Sequence, residues 1–154
     1  MQFFKNKKNL LKLIFCIVFI GTVGSLYYST FGDPLKNIAD GVLFDSFRAL
    51  IPCKLCWWAR IFLYPITIIS GLALYRKEYS MFPYIFALAI PGALVTGYHS
   101  LLQWGIVKVI VPCTVGVPCE LATVKYLGFV TIPFLGFVAF GATVILGVLS
   151  FRKN

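Results

Sequence analysis

Five cysteines fall in a pattern that points to thiol–disulfide chemistry: Cys53 and Cys56 form a CxxC, Cys113 and Cys119 a C-x5-C, and Cys16 stands alone. Two closely spaced thiols can close a small disulfide, and an exposed, constrained ring is open to attack by another thiolate. Rings this small remove less entropy from the unfolded chain than the roughly 3 kcal/mol of a 15-residue loop, so stapling is a weak motive for them. Exchange of electrons between the pairs is a stronger one. Pro52 precedes the CxxC and an apolar run begins at about Trp57, which puts Cys56 at a helix N-terminus, where unpaired backbone N–H groups favour a thiolate. Arg60 follows one helical turn later on the same face, suited to stabilise that thiolate and to hold an oxygen of an electron acceptor. His99 is the only histidine.

The elements that position these residues are not those of a water-soluble domain. Of 154 residues, 60% are hydrophobic and only 12% charged, with a mean hydropathy of +0.89. A chain this small cannot hide so much apolar surface from water, so its solvent is lipid. Stretches of about 20 apolar residues, enough to cross about 30 Å of hydrocarbon as helix, occur four times: Leu13 to Thr30, Trp57 to Tyr75, Met81 to Leu102 and Tyr126 to Phe151. The expected fold is an all-α integral membrane protein, a four-transmembrane-helix bundle making one membrane domain over 1–154. Pro65, Pro91 and Pro133 fall inside three of the expected spans, where neighbouring helices accommodate a kink. The formal net charge is +9, but the basic residues are scattered between apolar runs with no basic stripe, which excludes a nucleic-acid partner.

Basic residues also set the expected orientation. Lys5, Lys7, Lys8, Lys12, Arg76, Lys77, Arg152 and Lys153 flank the spans on one side, which the positive-inside rule makes cytoplasmic together with both termini. Two outward loops remain, 31–56 and 103–125, each carrying one cysteine pair on the side where disulfides persist. A signal-peptide reading of the first span is weaker, since the apolar run is long enough to cross and lacks a small-x-small cleavage site at its end. Within the first loop, Asp33 as N-cap, Pro34, and Leu35, Ile38, Ala39, Val42, Leu43, Phe47 and Leu50 at helical spacing predict a helix lying on the membrane surface. Trp57, Trp58 and Trp104 suit an aromatic belt at the outer interface, and Cys16 reads as inert apolar packing.

Two outward pairs, one at the lipid boundary, suit a relay. An external dithiol protein is oxidised at Cys113/Cys119, exchange passes the electrons to Cys53/Cys56, and Cys56 delivers them to a lipid-soluble acceptor, for which a quinone is the natural choice. The run Cys53-Lys54-Leu55-Cys56-Trp57-Trp58-Ala59-Arg60 at the mouth of the second span, the Cys113/Cys119 pair between spans three and four, and His99 late in span three together resemble the disulfide bond formation protein B family of DsbB/BdbC-type thiol:quinone oxidoreductases. The short C-x5-C looks like that of Gram-positive-type members.

The resemblance implies that Cys56 interacts with the quinone, ubiquinone or menaquinone. It makes Cys53 the cysteine that exchanges with the second pair, Cys113 the site attacked by a thioredoxin-fold thiol oxidase of DsbA/BdbD type, and Cys119 the residue that resolves towards Cys53. Arg60 and His99 match quinone-site residues, and the implied location is the bacterial cytoplasmic membrane. The local disulfides Cys53–Cys56 and Cys113–Cys119 and an inter-loop Cys53–Cys119 bond are all open to these spacings.

Three other readings are weaker. A quinone-independent thiol carrier needs cysteines within the bilayer, where only Cys16 lies. A four-cysteine metal site is disfavoured by the C-x5-C spacing and by loops without histidine, so no metal is expected. A scaffold or pore with incidental disulfides lacks a row of charges to mark a pathway.

Overall fold

The computed structural model describes residues 7–33, 40–41, 52–108, 119, 125–126 and 129–151. Its helices are α1 (Lys7–Phe31), α2 (Lys54–Arg76), α3 (Phe82–Gln103) and α4 (Ile132–Phe151). A 3-10 turn, Tyr79–Met81, leads into α3, and two short strands, β1 (Lys125–Tyr126) and β2 (Val130–Thr131), precede α4. All four helices are long and apolar enough to cross a membrane. Of the expected helix over Leu35 to Leu50 only Asp40 and Gly41 are described, and they form a turn with Gly41 at φ 71°; the rest lies outside the described residues, as does Cys113.

Helix limits differ from the hydropathy reading in ways the residues explain. At its start α1 takes in Lys7, Lys8 and Lys12, because lysine is a good helix former whose long stem lies along apolar surface while its ammonium stays in water. The fourth span does not begin at Tyr126. Lys125 pairs with Thr131 and Tyr126 with Val130 in an antiparallel ladder, and the helix starts only at Ile132. Pro133 accounts for this: a residue before proline is biased to extended backbone, and proline suits the first turn of a helix, where its missing N–H costs nothing. Pro133 is thus an initiator rather than an internal kink, whereas Pro65 and Pro91 do lie inside α2 and α3.

The turn after α2 is closed by Lys77 in the left-handed region at φ 57°, with the Glu78 N–H donating to Ala73 O at 3.0 Å. Such a cap satisfies carbonyls that the helix end would otherwise leave unpaired. It makes α2 and α3 antiparallel neighbours.

Packing follows a square: α1 on α2 and α4, α3 on α2 and α4, the closest pairing being α3 with α4. Leu10, Leu11, Ile14 and Val18 of α1 meet Leu63, Ile66 and Ala73 of α2, Phe82, Ile85 and Ala89 of α3, and Phe140 and Leu146 of α4. Large apolar side chains are also turned outward on every helix, with Ile20, Ile68, Leu94 and Ile145 exposed by 70%, 63%, 69% and 62%. Water would reject that surface and hydrocarbon accepts it. Between α1 and α2 the Thr22 and Thr67 hydroxyls are 2.8 Å apart, and Thr67 also donates to Leu63 O, the polar contact by which helices associate where no hydrophobic force distinguishes protein from lipid.

Small residues let helices approach. A Cβ on Gly92 of α3 would stand 2.4 Å from the Phe140 ring of α4, so the glycine is what brings these two backbones together.

Candidate active site

One end of the bundle gathers the chemistry. Cys53 caps α2 in extended conformation, φ −69° and ψ 168°, and Pro52 before it keeps the chain from continuing as helix. Cys56 lies in the first turn of α2, and the two Sγ atoms are 3.2 Å apart, both as thiols. His99 comes in from the last turn and a half of α3, 1% exposed, with Nε2 3.6 Å from Cys53 Sγ.

The same imidazole nitrogen faces Gln103, whose Nε2 is 3.5 Å away and whose Oε1 is buried without a hydrogen-bond partner among the described residues. Cys119 reaches this end from the second loop: it is 2% exposed and joins Cys53, Leu55 and Leu102 in one small buried cluster. It is itself disulfide-bonded. Residues from both cysteine-bearing loops therefore meet around Cys53.

Hydrogen bonding with Cys56 holds the Cys53 thiol well below its ordinary range; burial opposes this, and His99 adds to the lowering as hydrogen-bond partner and as charge. A lowered pKa means that the thiolate persists as pH falls, until the pH reaches that lowered value. An ordinary thiol with pKa of about 8.5 loses reactivity about tenfold per pH unit below neutrality. In the reduced protein, iodoacetamide modification of Cys53, located by mass spectrometry, is expected to keep a nearly constant rate from about pH 8 to about pH 6. A tenfold fall per unit across that window would contradict the arrangement around Cys53.

Arg60 points across to α1, where its Nη2 donates to Ser25 O at 3.1 Å, and its guanidinium lies 5.5 Å from the centroid of the Trp57 ring. The carbonyl and the ring fix the guanidinium, and among the described residues its remaining hydrogens are unclaimed. Beside it opens a cavity of about 430 Å³ walled by all four helices. Gly21, Gly24 and Ser25 of α1, Ala59 and Leu63 of α2, Thr96 of α3, and Pro133, Gly136 and Phe140 of α4 make walls that are mostly small or apolar. Cys53, Cys56, Arg60, His99 and Gln103 bring polar groups to the lining, together with the hydroxyl-bearing Tyr28 and Ser29 of α1. The size and the balance of apolar wall to few polar groups are those of a small-molecule site.

The structure thus brings together Cys53, Cys56, Arg60, His99 and Cys119. Cys16 is free and lies on the outer surface of α1 rather than in packed interior, because position 16 falls on the helix face turned away from Ile14 and Val18. Trp57, Trp58 and Trp104 are exposed by 55%, 48% and 38%, and Trp104 donates from its indole nitrogen to Phe129 O at 3.0 Å, tying the end of α3 to the strand before α4. Gln103 and Ser25 escaped the sequence reading. Gln103 stands four residues after His99, a spacing that would have found it had the span been carried one residue further.

A family model described as disulfide bond formation protein DsbB matches residues 35–150. The chain is 36% identical over 153 residues to the "Probable disulfide formation protein" of Oceanobacillus iheyensis, covering 97% of this chain and 94% of that one. It is 35% identical over 141 residues to "Disulfide bond formation protein C" of Bacillus subtilis, covering 88% of each. Against the "SPbeta prophage-derived disulfide bond formation protein B" of Bacillus subtilis it is 33% identical over 148 residues, 96% of this chain and 88% of that one. No solved structure matches.

Proposed function

The chain belongs to the disulfide bond formation protein DsbB family, and from that membership we propose that it is a thiol:quinone oxidoreductase that reoxidises an extracytoplasmic, thioredoxin-fold disulfide donor. The observation that carries the reading is the junction at Cys53, with Cys56 at 3.2 Å and the second-loop Cys119 in the same buried cluster. Electrons entering by the second loop have a next acceptor there.

The exchange balances as follows. A partner thiolate attacks Cys113 of the Cys113–Cys119 disulfide, and the second partner thiol closes the partner's own disulfide, leaving Cys113 and Cys119 reduced. The Cys119 thiolate attacks Cys53 of the Cys53–Cys56 disulfide and displaces Cys56; Cys113 then attacks Cys119, which restores the outer disulfide and leaves Cys53 and Cys56 as the dithiol. Bound in the cavity, a quinone supplies a two-electron, two-proton acceptor, and oxidation of the dithiol restores the inner disulfide.

The fit of such a ring rests on apolar walls with polar groups at Cys56, Arg60, His99 and Gln103. Arg60 offers charge-assisted donors to a ring oxygen, and His99 holds or moves a proton at Nε2 beside Cys53 Sγ. The cysteine-bearing end faces outward from a bacterial cytoplasmic membrane and both termini face the cytoplasm, a reading supported by the basic residues at the opposite ends of the helices.

Two experiments probe the entry and the exit. Cys119→Ser in native membranes is expected to accumulate a mixed disulfide between Cys113 and a thioredoxin-fold protein; trapping through Cys53 instead would reverse the order of the pairs. A hydrogen bond to a charged group contributes about 1.5–3 kcal/mol. Arg60→Gln is therefore expected to raise the KM for quinone roughly 10- to 100-fold with the KM for the partner unchanged, and an unchanged quinone KM would remove Arg60 from the acceptor site.

A further inference from the structure

In the dithiol state, Cys53 Sγ, Cys56 Sγ and a ring nitrogen of His99 form a compact set of donors, all within 4.8 Å of one another. A tetrahedral zinc ion with bonds of about 2.3 Å to sulfur and 2.0–2.1 Å to nitrogen separates two sulfurs by about 3.8 Å and sulfur from nitrogen by about 3.5 Å. The observed 3.6 Å from Cys53 to His99 matches that frame, while the sulfurs, 3.2 Å apart, must part by about 0.6 Å and Cys56 must settle towards the imidazole, from within 4.8 Å, for an ion to seat among them. C-x2-C is also a usual zinc spacing. The histidine missing from the loops is supplied from α3, which the sequence could not show.

We propose that the reduced Cys53/Cys56 pair with His99 is a redox-gated binding site for a thiophilic divalent cation of the Zn2+ class, with Gln103 at the fourth position. The Gln103 amide adjoins His99 through its nitrogen while its buried oxygen lacks a partner. Half a turn of that amide exchanges the two atoms and puts an oxygen donor beside the imidazole. Binding displaces the thiol proton of Cys56 and holds both sulfurs as thiolates that cannot join. Once Cys53 and Cys56 form a disulfide, neither sulfur is a thiolate and the site is lost, so the cation takes only the reduced enzyme and arrests it there. The proposal rests on these donors and not on the identity of the electron acceptor.

The test uses full-length protein carrying Cys113→Ser and Cys119→Ser, so that Cys53 and Cys56 are the only loop thiols. Reduced protein titrated with Co2+ is expected to bind one ion with a thiolate-to-cobalt absorption band that Zn2+ abolishes, and Zn2+ is expected to slow alkylation of Cys53 and Cys56 at least about tenfold, reversed by EDTA. The same protein with its disulfide formed should show neither effect. His99→Gln, which keeps the side-chain length without the imidazole, is expected to weaken binding about 100-fold. Equal binding by the reduced and oxidised forms, or unchanged affinity in His99→Gln, would overturn the proposal. Neither readout involves turnover, so their failure leaves the proposed oxidoreductase standing.

Discussion

Cys56→Ser is expected to lower quinone reduction by at least about 10³-fold, because in the proposed relay every electron leaving the chain passes through the Cys53/Cys56 pair and a hydroxyl cannot replace the sulfur. The substitution changes little else. Serine is close to cysteine in size and retains a hydroxyl for Cys53, 3.2 Å from the position of the lost sulfur, so the fold and the cavity remain. Entry of electrons at Cys113, as proposed, does not involve residue 56, and the first oxidation of partner dithiol by the outer disulfide should still be visible as a single turnover. Cys16→Ser, on the outer surface of α1, should leave the rate unchanged. Quinone reduction that survives in Cys56→Ser would remove that residue from the exit of the relay.

The largest expected effect on stability lies at Gly92. A methyl there would sit 2.4 Å from Cε1 and 2.7 Å from Cδ1 and Cζ of Phe140. That ring is 1% exposed and lies between α4 and the core residues of the other helices, so it has nowhere to retreat without opening the α3–α4 contact or entering the cavity it lines. Overpacking of this kind costs about 1–3 kcal/mol, which exceeds the helix-propensity gain of about 1 kcal/mol from replacing glycine by alanine. Gly92→Ala is therefore expected to lower the Tm of the protein in detergent. Gly141→Ala, whose added methyl meets nothing within 4 Å, should hold or raise it. Pairing Gly92→Ala with Phe140→Leu should recover part of the loss, since the shorter side chain vacates the contested volume. A Tm for Gly92→Ala equal to that of Gly141→Ala would contradict the close approach of α3 and α4.

The bundle was legible because membrane spans advertise themselves by length and apolarity, and four such runs leave few architectures. What composition could not see was where an apolar segment changes from strand to helix. Tyr126, Val130 and Thr131 are as apolar or β-branched as residues that follow, and only the position of Pro133 marks the start of α4. Of the site, the cysteine spacings and Arg60 were local signals and could be read directly. The meeting of Cys53 with His99 could not, because the partners are 46 residues apart and are brought within 3.6 Å only by the packing of α2 against α3. The same holds for Ser25, whose carbonyl takes the Arg60 hydrogen bond from a third helix. Burial patterns gave little help, since an outward isoleucine in lipid and an inward one in the core are the same residue in the sequence.

The central claim, that electrons from a protein dithiol leave through Cys53 and Cys56 to a quinone, is tested most directly by stoichiometry. Purified protein in lipid nanodiscs would be mixed anaerobically with a reduced thioredoxin-fold thiol oxidase and quinone, and quinol and partner disulfide counted together. One quinol for each partner disulfide, formed at the same rate, is the expected result. Partner disulfide accumulating over many turnovers without quinol would contradict the account and assign the electrons to another acceptor.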